Sequence, residues 1–146
     1  MEGRALQDVL KVHCFGCGSL NPLGLQIKSQ VEGDDVVCRW QPPPHHIGHP
    51  GIVYGGTIAS IIDCHSMWTA MATHCRDAGI PIEQSPAVVT ARLAVNYLKP
   101  AKVDQPLELR ARVVDRSEKR FTVACRVLQG DVECANAEVV AVRVRL

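Results

Sequence analysis

One stretch of this 146-residue chain constrains its fold more than any other: from Gly55 to Cys75 there is neither a proline nor the alternation of a strand. Ile58, Ile61, Ile62, His65, Trp68 and Ala72 recur at helical spacing and make a broad stripe, while Ala59 and Ala70 soften much of the remaining surface. A helix that is apolar on most sides has to be enclosed, since each Å² of apolar surface left in water forgoes about 25 cal/mol. The Gly79 to Pro86 stretch closes it.

What encloses it must come from the strands. Ala91, Leu93, Val95 and Tyr97 alternate against Thr90, Arg92 and Asn96; Phe121, Val123, Cys125 and Val127 repeat the period, as do Val140, Val142, Val144 and Leu146 against Arg143 and Arg145. Pro100, Ser117 and Gly130 punctuate these runs. Upstream, Leu25, Ile27, Ser29 and Val31 alternate with polar residues, and the turn residues Gly33 to Asp35 lead into Val36 to Trp40, which predicts a hairpin. The class expected is α+β, one antiparallel sheet curled around a long central helix of about residues 55–76, in a single domain spanning residues 1–146. The long loop Gln41 to Gly51, rich in Pro, His and Gly, is of the kind that carries a task.

Several function classes are disfavoured. A net charge of +1 gives no overall field for nucleic acid or an anionic membrane, and no apolar run approaches the length of about 20 residues needed for a membrane span. The opening MEGRALQDVLKVH has no apolar stretch long enough for a signal peptide. Seven cysteines form an odd, scattered set, with Cys38, Cys64, Cys125 and Cys134 inside apolar or alternating segments, where small buried hydrophobes are common. The expectation is a cytoplasmic protein in a reducing compartment.

Three segments, in order, then carry a resemblance. The run GIVYGGTIASIID (Gly51 to Asp63) resembles the PaaI-like hotdog-fold acyl-CoA thioesterases, whose pattern at the start of the helix is Gly, two residues, His-Gly-Gly, six residues, Asp. VTARLAVNYLKPA (Val89 to Ala101) is similar to the strand that follows, and CFGCGSLNPLGL (Cys14 to Leu25) to a lead-in seen in many members. The likeness covers roughly residues 14–145. Two positions depart from the pattern: Tyr54 stands where the family has His, and Gly48 where some relatives carry an Asn or Gln that orients water, a task His49 or His46 would take over.

The resemblance implies hydrolysis of an acyl-CoA, with no cofactor beyond the CoA of the substrate. Unpaired N–H groups at a helix start, with their partial positive charge, would receive the developing oxyanion near Gly55 and Gly56; the plain alternative is that the glycines only let the loop turn. Asp63 would activate water or attack the carbonyl itself. On an ideal helix it lies about 12 Å along the axis from Gly55, so the two cannot touch one thioester in one chain. The family's answer is a homodimer, also found as a dimer of dimers, in which Gly55 of one subunit faces Asp63 of the other. Thr90 matches a Ser or Thr that holds the attacking water, although it also suits an ordinary strand, and Tyr54 would support the oxyanion site or simply pack. Arg92, Lys99 and Lys102 are the first candidates for the CoA phosphates, with Arg116, Lys119 and Arg120 behind them. His65, about 200° around the helix from Asp63, is expected to be a core or interface residue, and Cys64 a packing residue. Cys14 and Cys17 form one CxxC which, with His13, His45, His46 and His49, would make a zinc set; a lone CxxC is weak and the relatives need no metal, so the expectation is a turn without one. A second reading keeps the fold and drops the chemistry, leaving a non-catalytic acyl-CoA or lipid-binding module.

Overall fold

The computed structural model describes residues 3–146, so the first two residues of the expected domain lie outside it. A short helix α1 (Leu6–Val9) leads through an irregular segment to strands β1 (Ser29–Glu32) and β2 (Asp35–Trp40). The helix α2 (Gly55–Ala78) follows, then a single 3-10 turn at Ile82–Gln84 and four strands, β3 (Ala87–Tyr97), β4 (Leu107–Arg116), β5 (Arg120–Gln129) and β6 (Val132–Val144). All six strands form one antiparallel sheet in the order β1-β2-β4-β5-β6-β3.

Every strand packs against α2. Six strands span about 24 Å at ordinary spacing, about twice the width of a helix, so the sheet must curl to keep them all in reach. Ile58, Ile61, Ile62 and Trp68 of the predicted stripe are buried against Leu109, Val123, Val127 and Val139 of the sheet. Gly79 stops the helix in the left-handed region at φ 66, its N–H donating to Arg76 O and that of Ile80 to Cys75 O, which satisfies the last carbonyls. The helix thus runs two residues past the expected end. Among the described residues no helix is long and apolar enough to cross a membrane.

Two sequence expectations needed correction. The upstream alternation predicted a strand from Leu25, but β1 starts only at Ser29. Gln26 has φ 56, which no strand accommodates, and its amide donates to Gly18 O and Asn21 O instead; Leu25 and Ile27 are buried from an irregular segment. In β3 the alternation placed Thr90 on the face opposite Leu93, Val95 and Tyr97. The ladder slips at Ala91: Thr90 pairs with Ala141 and Leu93 with Val139, two residues apart on β6, so Thr90 shares their face and looks toward α2.

A polar chain pins α2 to the hairpin. His65 is fully buried, with Nε2 at 2.9 Å from Val36 O and Nδ1 at 2.8 Å from Ser29 Oγ. A carbonyl only accepts, so Nε2 carries the proton and Nδ1 accepts from the Ser29 hydroxyl. Ser29 Oγ in turn accepts from Gln7 Nε2 at 3.0 Å, and Gln7 Oε1 accepts from Ser29 N at 2.7 Å. Every member is satisfied with the imidazole neutral, and burial drives the His65 pKa down from 6.5 to about 4. In this window the unfolded chain binds the proton and the folded one does not, so stability is full above pH 6.5 and falls on acidification to about 4. We expect the stability difference between wild type and His65→Gln, from urea unfolding, to shrink by up to about 1.4 kcal/mol per pH unit across this range. A difference that stays constant with pH would contradict a neutral buried imidazole.

Candidate active site

The start of α2 is built from a loop that folds back on itself. Ile47 bridges to Val53 and Ile52 to Lys102, while Tyr54 N donates to His46 O at 2.9 Å, so the Pro/His loop is tied to the first helical turn. No side chain caps the helix, and the N–H groups of Gly55 and Gly56 have no partner among the described residues. Two rings lie over these glycines, and Gly56 makes room for one of them. The Tyr97 ring packs over Gly55 and its hydroxyl donates to Gly55 O at 2.7 Å; the exposed Tyr54 ring lies over Gly56, where an added Cβ would meet it. Burial, then the neighbouring Tyr54, raises the Tyr97 pKa. His46 Nδ1 is 3.1 Å from Thr57 Oγ1, and burial, followed by the adjacent His45, lowers its pKa. A hollow of about 520 Å³ in front of the helix is lined by Phe15, His45, His46, Tyr54, Gly56 and Ser60 among others.

Asp63 lies in a different place. It is half-buried on the wall of an apolar cleft of about 570 Å³, with Val12, Met67, Met71, Val88 and Thr90 among its neighbours. Thr90 Oγ1 donates to Asp63 Oδ1 at 2.5 Å, and Oδ2 has no hydrogen-bond partner among the described residues. The bulge at Ala91 is what turns Thr90 inward to make this bond. No residue lines both the Asp63 cleft and the hollow in front of Gly56, and Gly55 opens into a third, of about 290 Å³, with Tyr97 and Lys99. One chain therefore keeps the carboxylate and the free amide donors apart.

The other sequence candidates are distributed unevenly. Lys99 shares the hollow with Gly55, and Lys102 follows on the same connection, its backbone held by the Gln129 amide. Arg92 pairs with Glu138 at 3.3 Å on the outer face of β3, away from both the cleft and the helix start. His49 is exposed in a turn and lines none of these cavities, whereas His46 is beside the helix start. The histidines of the supposed zinc set do not gather at the CxxC. Cys64 does: its Sγ is 3.8 Å from Cys14 Sγ, and the three Sγ atoms of Cys14, Cys17 and Cys64 lie within 4.8 Å of one another. A hydrogen bond from Cys64, with lesser help from the Trp68 indole and Cys14, outweighs burial and brings Cys17 down to about 6. Bonding to Cys17 and burial push Cys64 up. Two residues escaped the sequence reading. In sequence Tyr97 reads only as an apolar strand residue, and nothing local connects Cys64 with a turn 50 residues earlier.

The comparisons with known proteins agree with this fold. Residues 50–135 match the family model described as the thioesterase superfamily. A crystal structure of a thioesterase superfamily protein from Shewanella loihica PV-4 is 32% identical, with a TM-score of 0.73, over 95% of this chain and 99% of that one. The Escherichia coli PaaI protein, 14% identical, superimposes with a TM-score of 0.69 over 83% of this chain and 81% of its own, a likeness of fold. Among curated proteins, the acyl-coenzyme A thioesterase THEM4 of Rattus norvegicus is 26% identical over 111 residues, 76% of this chain and 43% of the rat protein. That of Xenopus laevis is 27% identical over 111 residues, again 76% of this chain and 45% of the relative. The chain spans less than half the length of these curated relatives.

The two kinds of glycine here differ in what substitution does. A Cβ on Gly56 would meet only the exposed Tyr54 ring, which swings away, whereas a Cβ on Gly18 would press into the backbone of Cys14 and Val12. Gly56→Ala is expected to change unfolding free energy by no more than about 1 kcal/mol, and Gly18→Ala to cost about 3 kcal/mol, measured by urea denaturation. Equal costs would contradict the packing described.

Proposed function

The chain belongs to the thioesterase superfamily, and from that premise we propose that it hydrolyses an acyl-CoA thioester to the free acid and CoA. The observation that carries the reading is Asp63, fixed through one oxygen by Thr90 on the wall of an apolar cleft, while unpaired N–H donors stand at the start of the same helix. The acyl chain occupies the cleft. Its carbonyl oxygen takes the N–H groups of Gly55 and Gly56 of one subunit, a pair of fixed dipoles aimed where negative charge develops. Asp63 of the partner subunit faces the carbonyl carbon and takes a proton from attacking water, or attacks directly, with Thr90 holding it in orientation. Lys99 and Lys102 receive CoA phosphates near the helix start, while Arg92, paired with Glu138 on the outer face, is left out of this role. Tyr54 and His46 shape the oxyanion side. No step in this chemistry calls for a cofactor.

Dimerisation follows from the separation of the two halves of the site, and β3 supports it. This strand is a sheet edge of 11 residues with Val89, Leu93 and Tyr97 exposed, an apolar edge of the kind that proteins cover.

A complementation experiment tests chemistry and assembly together. Asp63→Asn removes the base. Gly55→Pro removes one N–H at the first helical position, where proline is tolerated, and Tyr54 at ψ 130 already has the backbone a following proline requires. In a thiol-release assay over an acyl-CoA panel, each variant alone should lose about 100-fold or more in kcat. Mixed in equal amounts by unfolding and refolding, the two should recover about one quarter of wild-type activity, because half the dimers are mixed and each then holds one intact site. Full activity of Asp63→Asn would end the assignment; no recovery on mixing would place the site within one chain.

A further inference from the structure

The Asp63 cleft carries three thiols that the proposed hydrolysis leaves unused. Cys14 and Cys17 stand on one tight turn, closed by Gly18 N donating to Cys14 O at 2.7 Å, and Cys64 reaches them from α2. Gly16 between them has no side chain to obstruct this: a Cβ there would collide with Cys64 Sγ. In a tetrahedral zinc site with Zn–S bonds of about 2.3 Å the sulfurs are about 3.8 Å apart. Cys14 and Cys64 already stand at 3.8 Å, and the third sulfur is within 4.8 Å of both. A disulfide needs two sulfurs at about 2.05 Å and would leave one thiol of the three over. Three sulfur donors select a soft or borderline ion over magnesium or calcium.

We propose that Cys14, Cys17 and Cys64 form a three-thiolate site for zinc(II) that fastens the N-terminal lead-in to the central helix. The lead-in needs a fastening. Residues 10–28 contain no regular element, yet Leu10, Val12, Cys14 and Cys17 form part of the cleft wall. Such a stretch is held by scattered turn hydrogen bonds, and an ion bridging it to α2 contributes its binding free energy directly to the order of that wall. The fourth position falls to water from the cleft. Asp63 keeps its bond from Thr90, so the ion is structural and touches no reacting atom.

Protein purified in reducing, oxygen-free buffer, its thiols shown to be free by titration after metal removal, is loaded with zinc(II) or cobalt(II). The expected result is one ion per chain, thiolate-to-cobalt charge-transfer absorption, and slower limited proteolysis within residues 10–28. Loss of an outer-shell partner alone weakens such sites by about 10- to 100-fold, so loss of a ligand in Cys64→Ser should cost about 100-fold or more in zinc affinity. Cys14→Ser, at an exposed position that places no burden on folding, should do the same. No stoichiometric uptake by the fully reduced protein, or uptake that survives either substitution, would overturn the site, as would a disulfide within the trio whose reduction does not restore metal binding.

Discussion

A helix rises by about 1.5 Å per residue, and that fixed pitch governs how this molecule can work. The free amide donors sit at the first turn of α2 and Asp63 eight residues on, along a rod that the sheet encloses and cannot bend. The two therefore open into separate hollows. Any chemistry that needs donor and carboxylate at one carbonyl requires a second copy of the helix running the other way. The proposed assembly is thus a consequence of helix geometry before it is a matter of interface energetics.

The rod must also be held at a fixed depth and rotation, and here a polar device is used inside an apolar core. Apolar packing of Ile58, Ile61 and Ile62 tolerates small sliding, because dispersion forces have little directional preference. The His65, Ser29 and Gln7 chain does not, since each hydrogen bond has one satisfactory partner and an unmade bond at such depth costs about 1–3 kcal/mol. His65 points away from Asp63, yet it sets the angular position from which Asp63 projects.

The sequence disclosed the parts that depend on periodicity and local chemistry. The presence and start of α2, the Gly79 to Pro86 stretch that closes it, the hairpin turn at Gly33 and the strand-rich second half follow from spacing alone, and the Gly51 to Asp63 pattern carried the family likeness. What it concealed were departures from regularity and contacts distant along the chain. Gln26 interrupts an alternation that looks like a strand because burial, which the alternation records, does not require one. The Cys64 thiol meets Cys14 only because the lead-in crosses the helix, and a CxxC considered by itself attracted nearby histidines that fold elsewhere. Arg92 looked available until its pairing with Glu138 placed it on the outer face.

One surplus residue in β3 has a wider consequence. Tyr97 touches the first turn of α2 and Thr90 touches Asp63, so a single strand tends both ends of the working surface of the helix. Those two residues are an odd number of steps apart, and in an unbroken ladder odd steps lie on opposite sides. A strand of strict parity would have to choose which end to serve; the offset at Ala91 lets it serve both.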